Sequence, residues 1–301
     1  MNHVFLIQAH KDPELLYKII ERLDASNHYF FIHIDKRSRE MFNSCYVSEI
    51  NSKKNCFIYS EYAVNWGSEK QIWVTLFLLE KSIYYDVHFT YYHFISGQDF
   101  PLKGNKDFDS YFSMKCGSSF MGLIDTTDID KRYMVYHFDR IVNPRGNILC
   151  RIFHKLCSLF VHFQILLYKN GITIRPTLEY KLYKGSSWWS FHHEIASYIN
   201  KFVKESPGFL KRFNYTSCCD EVFFHVIVMN SPYAKTIIND SLRYVDWSDS
   251  SRGYPCDLDE RDFEKIMKSN SLFCRKIDFN KSNKLINRIE SLIIEDNDTF
   301  K

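Results

Sequence analysis

The chain carries nine cysteines but no Cys-x-x-Cys pair; Cys218 and Cys219 are adjacent and the others are scattered. That spacing excludes zinc-ribbon and thioredoxin-type chemistry, and the odd count fits reduced thiols better than a disulfide framework. No run of Lys and Arg forms a stripe. With a formal net charge of only +3, no nucleic-acid partner is expected. Met1-Asn2-His3 passes directly into the strand-like Val4-Phe5-Leu6-Ile7, without a basic leader segment or a small-residue cleavage site. The expectation is a cytoplasmic protein, in which the Asn-x-Ser/Thr triplets at Asn214, Asn239 and Asn297 are chance matches. Internal repeats and low-complexity linkers are absent. The strongly apolar stretch 148–168 is interrupted by Arg151, His154, Lys155, His162 and Gln164, which argues against a transmembrane span.

What is present is globular. The 301 residues, 45% hydrophobic and 25% charged, suffice for a large α/β core. The aromatic content of 17% serves either that core or sugar-stacking surfaces. Strand-like runs at 4–9, 29–34, 56–59 and 91–96 alternate with helical patterns. Leu15, Leu16, Ile19, Ile20 and Leu23 mark one helix, with Pro13 in its first turn. Ile72, Trp73, Leu76, Leu79 and Ile83 mark another, from about 68 to 84. This rhythm predicts a mostly parallel sheet flanked by helices, with Asp35-Lys36 and Ser96-Gly97-Gln98-Asp99 facing a cleft beyond the strands' carboxyl ends. Further on, 187–191 reads as a strand, and 192–202 and 220–228 as helices. Leu285, Ile289, Leu292 and Ile293 define a docking helix. The stretch 148–168 forms one broad apolar helical face that either packs on the core or rests on a membrane surface.

The second half also holds an ordered set of chemically useful residues: Lys184-Gly185-Ser186-Ser187-Trp188-Trp189, Asp220-Glu221, Val245-Asp246-Trp247, Arg252, and Arg275-Lys276-Ile277-Asp278. Together they offer what is needed to hold a sugar, deprotonate a hydroxyl and stabilise a departing diphosphate. Ser217 and Asp220 are candidate helix caps, which puts Glu221 in a first helical turn, where an ionised carboxylate is favoured and can act as general base. Arg252, Arg275 and Lys276 are cations suited to phosphate oxygens. Along a strand, one of Trp188 and Trp189 enters the core and the other turns to the opposite face. A metal is the competing solution for the diphosphate charge, through Asp128-Ile129-Asp130 or Asp257-Leu258-Asp259. Neither pair directly follows a clear buried strand, which favours cations over metal.

In this order, Ile32-His33-Ile34-Asp35-Lys36-Arg37-Ser38, Asn65-Trp66-Gly67-Ser68, Ile95-Ser96-Gly97-Gln98-Asp99-Phe100-Pro101-Leu102 and the second-half set resemble the Core-2/I-branching enzymes of glycosyltransferase family 14, which also includes the peptide O-xylosyltransferases. The resemblance implies a single GT-A-type catalytic domain over 1–301, with a nucleotide-sugar half (1–115) and an acceptor and catalytic half (116–301). It implies inverting transfer from a UDP-sugar, foremost UDP-GlcNAc, to a glycan or lipid-linked glycan, with no metal or other cofactor. Glu221 is then the base, and Lys276 with Arg252 and Arg275 meets the diphosphate. Asp35, Trp66, Gly67 and Ser68 lie near the nucleotide. Asp99, Asp125, Lys131, Arg132, Trp188, Trp189 and Asp220 are expected on the substrate side. The missing leader implies a bacterial member making a surface glycan at the inner face of the membrane. The alternatives are a metal-dependent sugar or nucleotidyl transferase using Asp128 and Asp130, and a non-catalytic glycan-binding protein.

Overall fold

The computed structural model describes residues 1–124, 133–140 and 147–298. Four strands come first along the chain: β1 (His3–Ala9), β2 (His28–Ile34), β3 (Cys56–Tyr59) and β4 (Tyr91–Ser96). All are parallel, with β1 between β2 and β4 and β3 outside β2. The connecting helices 13–23 and 70–83 cover opposite faces. Phe5 and Ile7 join Leu15, Leu16, Ile19 and Ile20 in one buried cluster, whereas Val4 and Leu6 join Ile72, Val74, Leu78 and Leu79 in the other. The two-residue period of the strand produces this division, since successive side chains leave on opposite faces. Trp73, Leu76 and Ile83, expected on the buried face of the second helix, are only partly buried against its cluster.

After the two-residue strand β5 (Phe100–Pro101) come β6 (Ser119–Ile124) and β7 (Lys184–His192), which continue the main sheet with β8 (Ile237–Ile238). The order is β3-β2-β1-β4-β7-β6-β8, and β7 is antiparallel to both its neighbours. β7 is thus longer than the strand expected at 187–191, and it starts at the edge where β4 ends. β9 (Arg243–Val245) and β10 (Phe273–Arg275) form a small sheet with β5. The final helix, 279–298, docks through Leu285, Ile286 and Ile289, close to the expected pattern.

One glycine decides the β6–β7 pairing. A Cβ on Gly185 would lie 1.7 Å from Gly122 O and 2.7 Å from His225 Nε2. The register slips between Met121 and Leu123 opposite this point, and His225 Nε2 donates to Gly122 O at 3.2 Å. Burial holds the His225 imidazole down at a pKa of about 4, outweighing the bond to Gly122 O, which favours the charged form. At the other end of the strands, His3, His28 and His93 form a buried network. His3 Nδ1 shares a proton with His93 Nε2 at 2.9 Å, and His28 Nε2 bonds Asp109 at 2.9 Å.

Candidate active site

The strand order reverses at β1: the chain proceeds outward through β2 and β3, then returns to place β4 on the other side. Ligands of open α/β sheets sit beyond the carboxyl ends at such a switch point. The backbone is tight here, because a Cβ on Gly97 would meet Ala9 Cβ at 3.0 Å. The carboxyl ends of β2 and β4, together with the start of the antiparallel β7, bring Asp35, Ser96 and Lys184–Ser187 to this same edge.

Glu221 lies in a short 3-10 turn, Cys219–Glu221, followed by the helix 223–229. Lys184 Nζ sits 3.2 Å from Glu221 Oε2. The neighbouring Asp220 does not cap a helix as expected. Cys218, in the left-handed conformation, occupies the N-cap without a side-chain bond, and Asp220 accepts a 2.6 Å hydrogen bond from Ser187 Oγ. The carboxylate pair is therefore fixed to the first residues of β7. The strand does the positioning.

From β7 the contacts continue to the basic segment. Trp188 is half-buried, and the Arg275 guanidinium carbon lies 4.7 Å from its ring centre. Arg275 Nη1 also donates to Ser96 Oγ at 2.5 Å and Asp99 Oδ1 at 2.9 Å. Asp99 was expected at the substrate, but it has no exposed surface. It accepts from Ser96 N at 2.8 Å and lies 3.8 Å from the buried Arg243, so it anchors cations from below. Trp189 is likewise fully buried, stacked on Phe191 at 4.2 Å; the core claims it.

Lys276 follows Arg275 and is half-buried. Burial, then the positive charges of Arg275 and Lys11, holds its ammonium below the ordinary value despite Asp257 and Asp278. Those acids have other partners: Lys281 meets Asp257 at 2.5 Å and Lys11 meets Asp278 at 2.6 Å. Among the described residues no carboxylate lies within ion-pair distance of Lys276. Such a cation favours an incoming anion.

Arg252 is differently placed. Its fork grips Asp262 through both terminal nitrogens, reaches Asp259 at 3.3 Å and donates to Asp257 O at 2.9 Å. Asp262 is buried, so the pair closes the loop 252–262. The Asp257/Asp259 pair is also engaged by cations, with Arg261 2.7 Å from Asp259 and the Asp259 pKa held at about 2 by hydrogen bonding to Arg261.

The other wall starts at Asp35. Burial opposes its charged form, yet hydrogen bonds from Arg37 and from Val64 N at 2.9 Å outweigh that and hold the carboxyl below its ordinary range. Arg37 Nη1 reaches Asn65 Oδ1 at 2.7 Å, at the start of the Trp66-Gly67-Ser68 turn. Gly67 has φ of 70°, its N–H donates to Gln71 Oε1, and its carbonyl accepts from Cys218 N at 2.8 Å. Trp66 is 73% exposed. The turn thus touches the Glu221 segment directly. Asp125, Asp128, Asp130, Lys131 and Arg132 lie outside the described residues.

Sequence reading assigned no role to Lys184, Ser187 or Tyr254. Lys184 and Ser187 stand in the segment from Lys184 to Trp189 singled out in the sequence, where an ion or hydrogen-bond partner for Asp220-Glu221 could have been sought. Tyr254 packs edge-on to Trp247 at 4.6 Å; both are exposed, in the loop after β9, and, two residues on, Cys256 O accepts from Lys276 N at 3.4 Å.

The chain is similar to known proteins. Residues 4–267 match the family model described as Branch: Core-2/I-Branching enzyme, and the chain belongs to that family. Among curated proteins it is 21% identical to xylosyltransferase sqv-6 of Caenorhabditis briggsae over 81% of this chain and 28% of that protein. It is 22% identical to xylosyltransferase 2 of Rattus norvegicus over 77% and 25%, and 21% identical to human xylosyltransferase 1 over 81% and 24%. The chain therefore spans about a quarter of the length of these relatives. Similarity to the solved apo structure of mouse xyloside xylosyltransferase 1 is weaker, with 10% identity and a TM-score of 0.36 over 91% of this chain and 96% of that one.

Proposed function

We propose that the chain is an inverting glycosyltransferase that moves a sugar from a UDP-sugar to a hydroxyl of a glycan acceptor. The observation that carries this reading is one continuous line of contacts: Glu221 to Lys184, Asp220 to Ser187, Trp188 to Arg275, and so to Lys276. It supports the reading by linking the Glu221 carboxylate, through β7, to a cation that has no carboxylate within ion-pair distance among the described residues.

In the proposed step Glu221 accepts the proton of the acceptor hydroxyl as that oxygen attacks the anomeric carbon. The bond from that carbon to the diphosphate breaks, and the electron pair leaves with UDP. Lys276 meets the growing negative charge, next in the chain to an Arg275 that Asp99 and Trp188 immobilise. Attack opposite the leaving group turns an α-linked donor into a β-linked product. Asp35 and the Trp66-Gly67-Ser68 turn form the nucleotide side, and the exposed Trp247–Tyr254 pair offers an aromatic face to a sugar ring. UDP-GlcNAc is the donor expected from the family resemblance, and the names of the curated relatives make UDP-xylose the second to test.

A thermal-shift panel of UDP and UDP-sugars, with and without EDTA, tests the reading. Stabilisation by UDP that survives EDTA, followed by detection of a β-linked product, is the expected outcome. Absence of any shift with UDP would favour a non-catalytic glycan-binding protein, and stabilisation that needs manganese would point to a metal-dependent transferase.

A further inference from the structure

The helix 148–169 shows a face that the sugar chemistry does not use. Only Cys157, Val161 and Gln164 are buried along it. Nine large apolar residues from Ile148 to Leu166, among them Phe153, Leu156, Leu159 and Phe163, are each between 42% and 71% exposed. At about 100° per residue they fill an unbroken sector of roughly 140°. Beside it, on the side away from the buried stripe, lie the exposed Arg151, Lys155, His162 and Lys169. Between Asn147 and Leu178 the sequence contains no Asp or Glu. Exposed Ile172 and Ile174 extend the apolar surface past the helix end. Monomeric proteins rarely leave so large an apolar patch in water.

We infer that this face lies in the plane of a bilayer surface carrying anionic lipid, with the apolar sector among the acyl chains and Arg151, Lys155 and Lys169 at the headgroups. An apolar sector bordered by cations, with no acid, is what such a surface selects. The helix lies against the body rather than crossing the bilayer, because its buried residues, Cys157, Val161 and Gln164, hold its second half to the protein. Gln164 Nε2 donates to Tyr136 O and Gln164 Oε1 accepts from Tyr136 N, both at 2.9 Å, and Phe160 stacks on Phe138 at 6.0 Å. Beyond the helix, Arg175 Nη1 holds Val135 O at 2.9 Å and its guanidinium lies over Tyr136 at 4.7 Å. A second copy of the chain is a poorer occupant, since a two-fold pairing of this face would set its cations against cations.

The test is co-sedimentation of the full chain with phosphatidylcholine vesicles with and without phosphatidylglycerol. It reads binding alone and does not depend on the enzymatic reading. Wild type is expected to pellet only with the anionic vesicles. Lys155→Gln should weaken that binding about five-fold, and Phe153→Glu with Leu156→Glu should abolish it. All these side chains are exposed, so the thermal midpoint of each variant should stay within a degree or two of wild type. Wild type remaining in the supernatant with anionic vesicles would overturn the inference. So would light scattering that shows a dimer which the two glutamates convert to a monomer, for the face would then belong to a second copy.

Discussion

Lys184 and Glu221 meet at 3.2 Å across the junction between the first residue of β7 and the 3-10 turn that precedes the helix 223–229. Half-buried Lys184 is the only described cation recorded within 4 Å of this carboxylate. Lys184→Met is expected to lower transfer by about ten-fold or more through loss of carboxylate placement, with Lys184→Arg recovering part of it. Steady-state kinetics on both variants checks this. Equal activity in the Met variant and wild type would remove Lys184 from the account.

Lys276 and Arg252 should separate cleanly. Lys276→Ala removes the cation proposed to meet the leaving diphosphate, and is expected to reduce kcat by about 10²-fold with little change in stability. Arg252→Ala instead leaves the buried Asp262 without its fork partner and should cost about 2–3 kcal/mol of stability, reduced from the fully buried case by its partial exposure. Urea denaturation and kcat measured on the same preparations distinguish the two. The reverse pattern would return Arg252 to the diphosphate.

Gly185→Ala is expected to destabilise the protein by at least the upper end of the ~1–3 kcal/mol range for overpacking, because the new methyl would overlap the Gly122 backbone and press on the buried His225 ring. Wild-type stability in denaturant would contradict the bulge geometry at Gly122.

Acid should destabilise the fold before the carboxylates titrate. Burial lowers the pKa of His3 to about 3 and of His33 and His225 to about 4, against an ordinary 6.5. His33 Nε2 accepts from Tyr62 N at 3.0 Å, a bond that protonation breaks. As pH falls below 6.5 the unfolded chain takes up these protons first, so the stability they contribute, present above 6.5, declines toward pH 4. Each group is worth up to about 2–4 kcal/mol. Thermal midpoints measured from pH 7 to pH 4.5 should fall steadily; a flat profile would contradict the buried neutral state.

The parallel half of the fold was legible because its physics is local. Leu15, Leu16, Ile19, Ile20 and Leu23 recur at helical spacing and all five are buried, and the strands at 56–59 and 91–96 fall within their expected limits. β6 escaped detection because Ser119–Ile124 carries no alternation and its pairing depends on a distant Gly185. The site was legible as a set of residue types and much less as a set of roles. Asp99, Trp189 and Arg252 were expected at ligands, and burial of the first two and the pairing of Arg252 with Asp262 could not be read from residue type. Local sequence does not reveal which carboxylate takes which cation, and that choice separates Lys276 from Arg252. The exposed face of 148–169 could be read as an apolar stripe, but not as an uncovered one.

The central claim is that Glu221 takes the proton from the acceptor hydroxyl, and Glu221→Gln tests it most directly. The substitution preserves shape and hydrogen-bonding length while removing the basic oxygen. With the donor sugar identified by the thermal-shift panel, the variant should keep UDP binding and its thermal midpoint while kcat falls by about 10²–10⁴-fold. Near-normal kcat in a folded, UDP-binding Glu221→Gln variant would contradict the account.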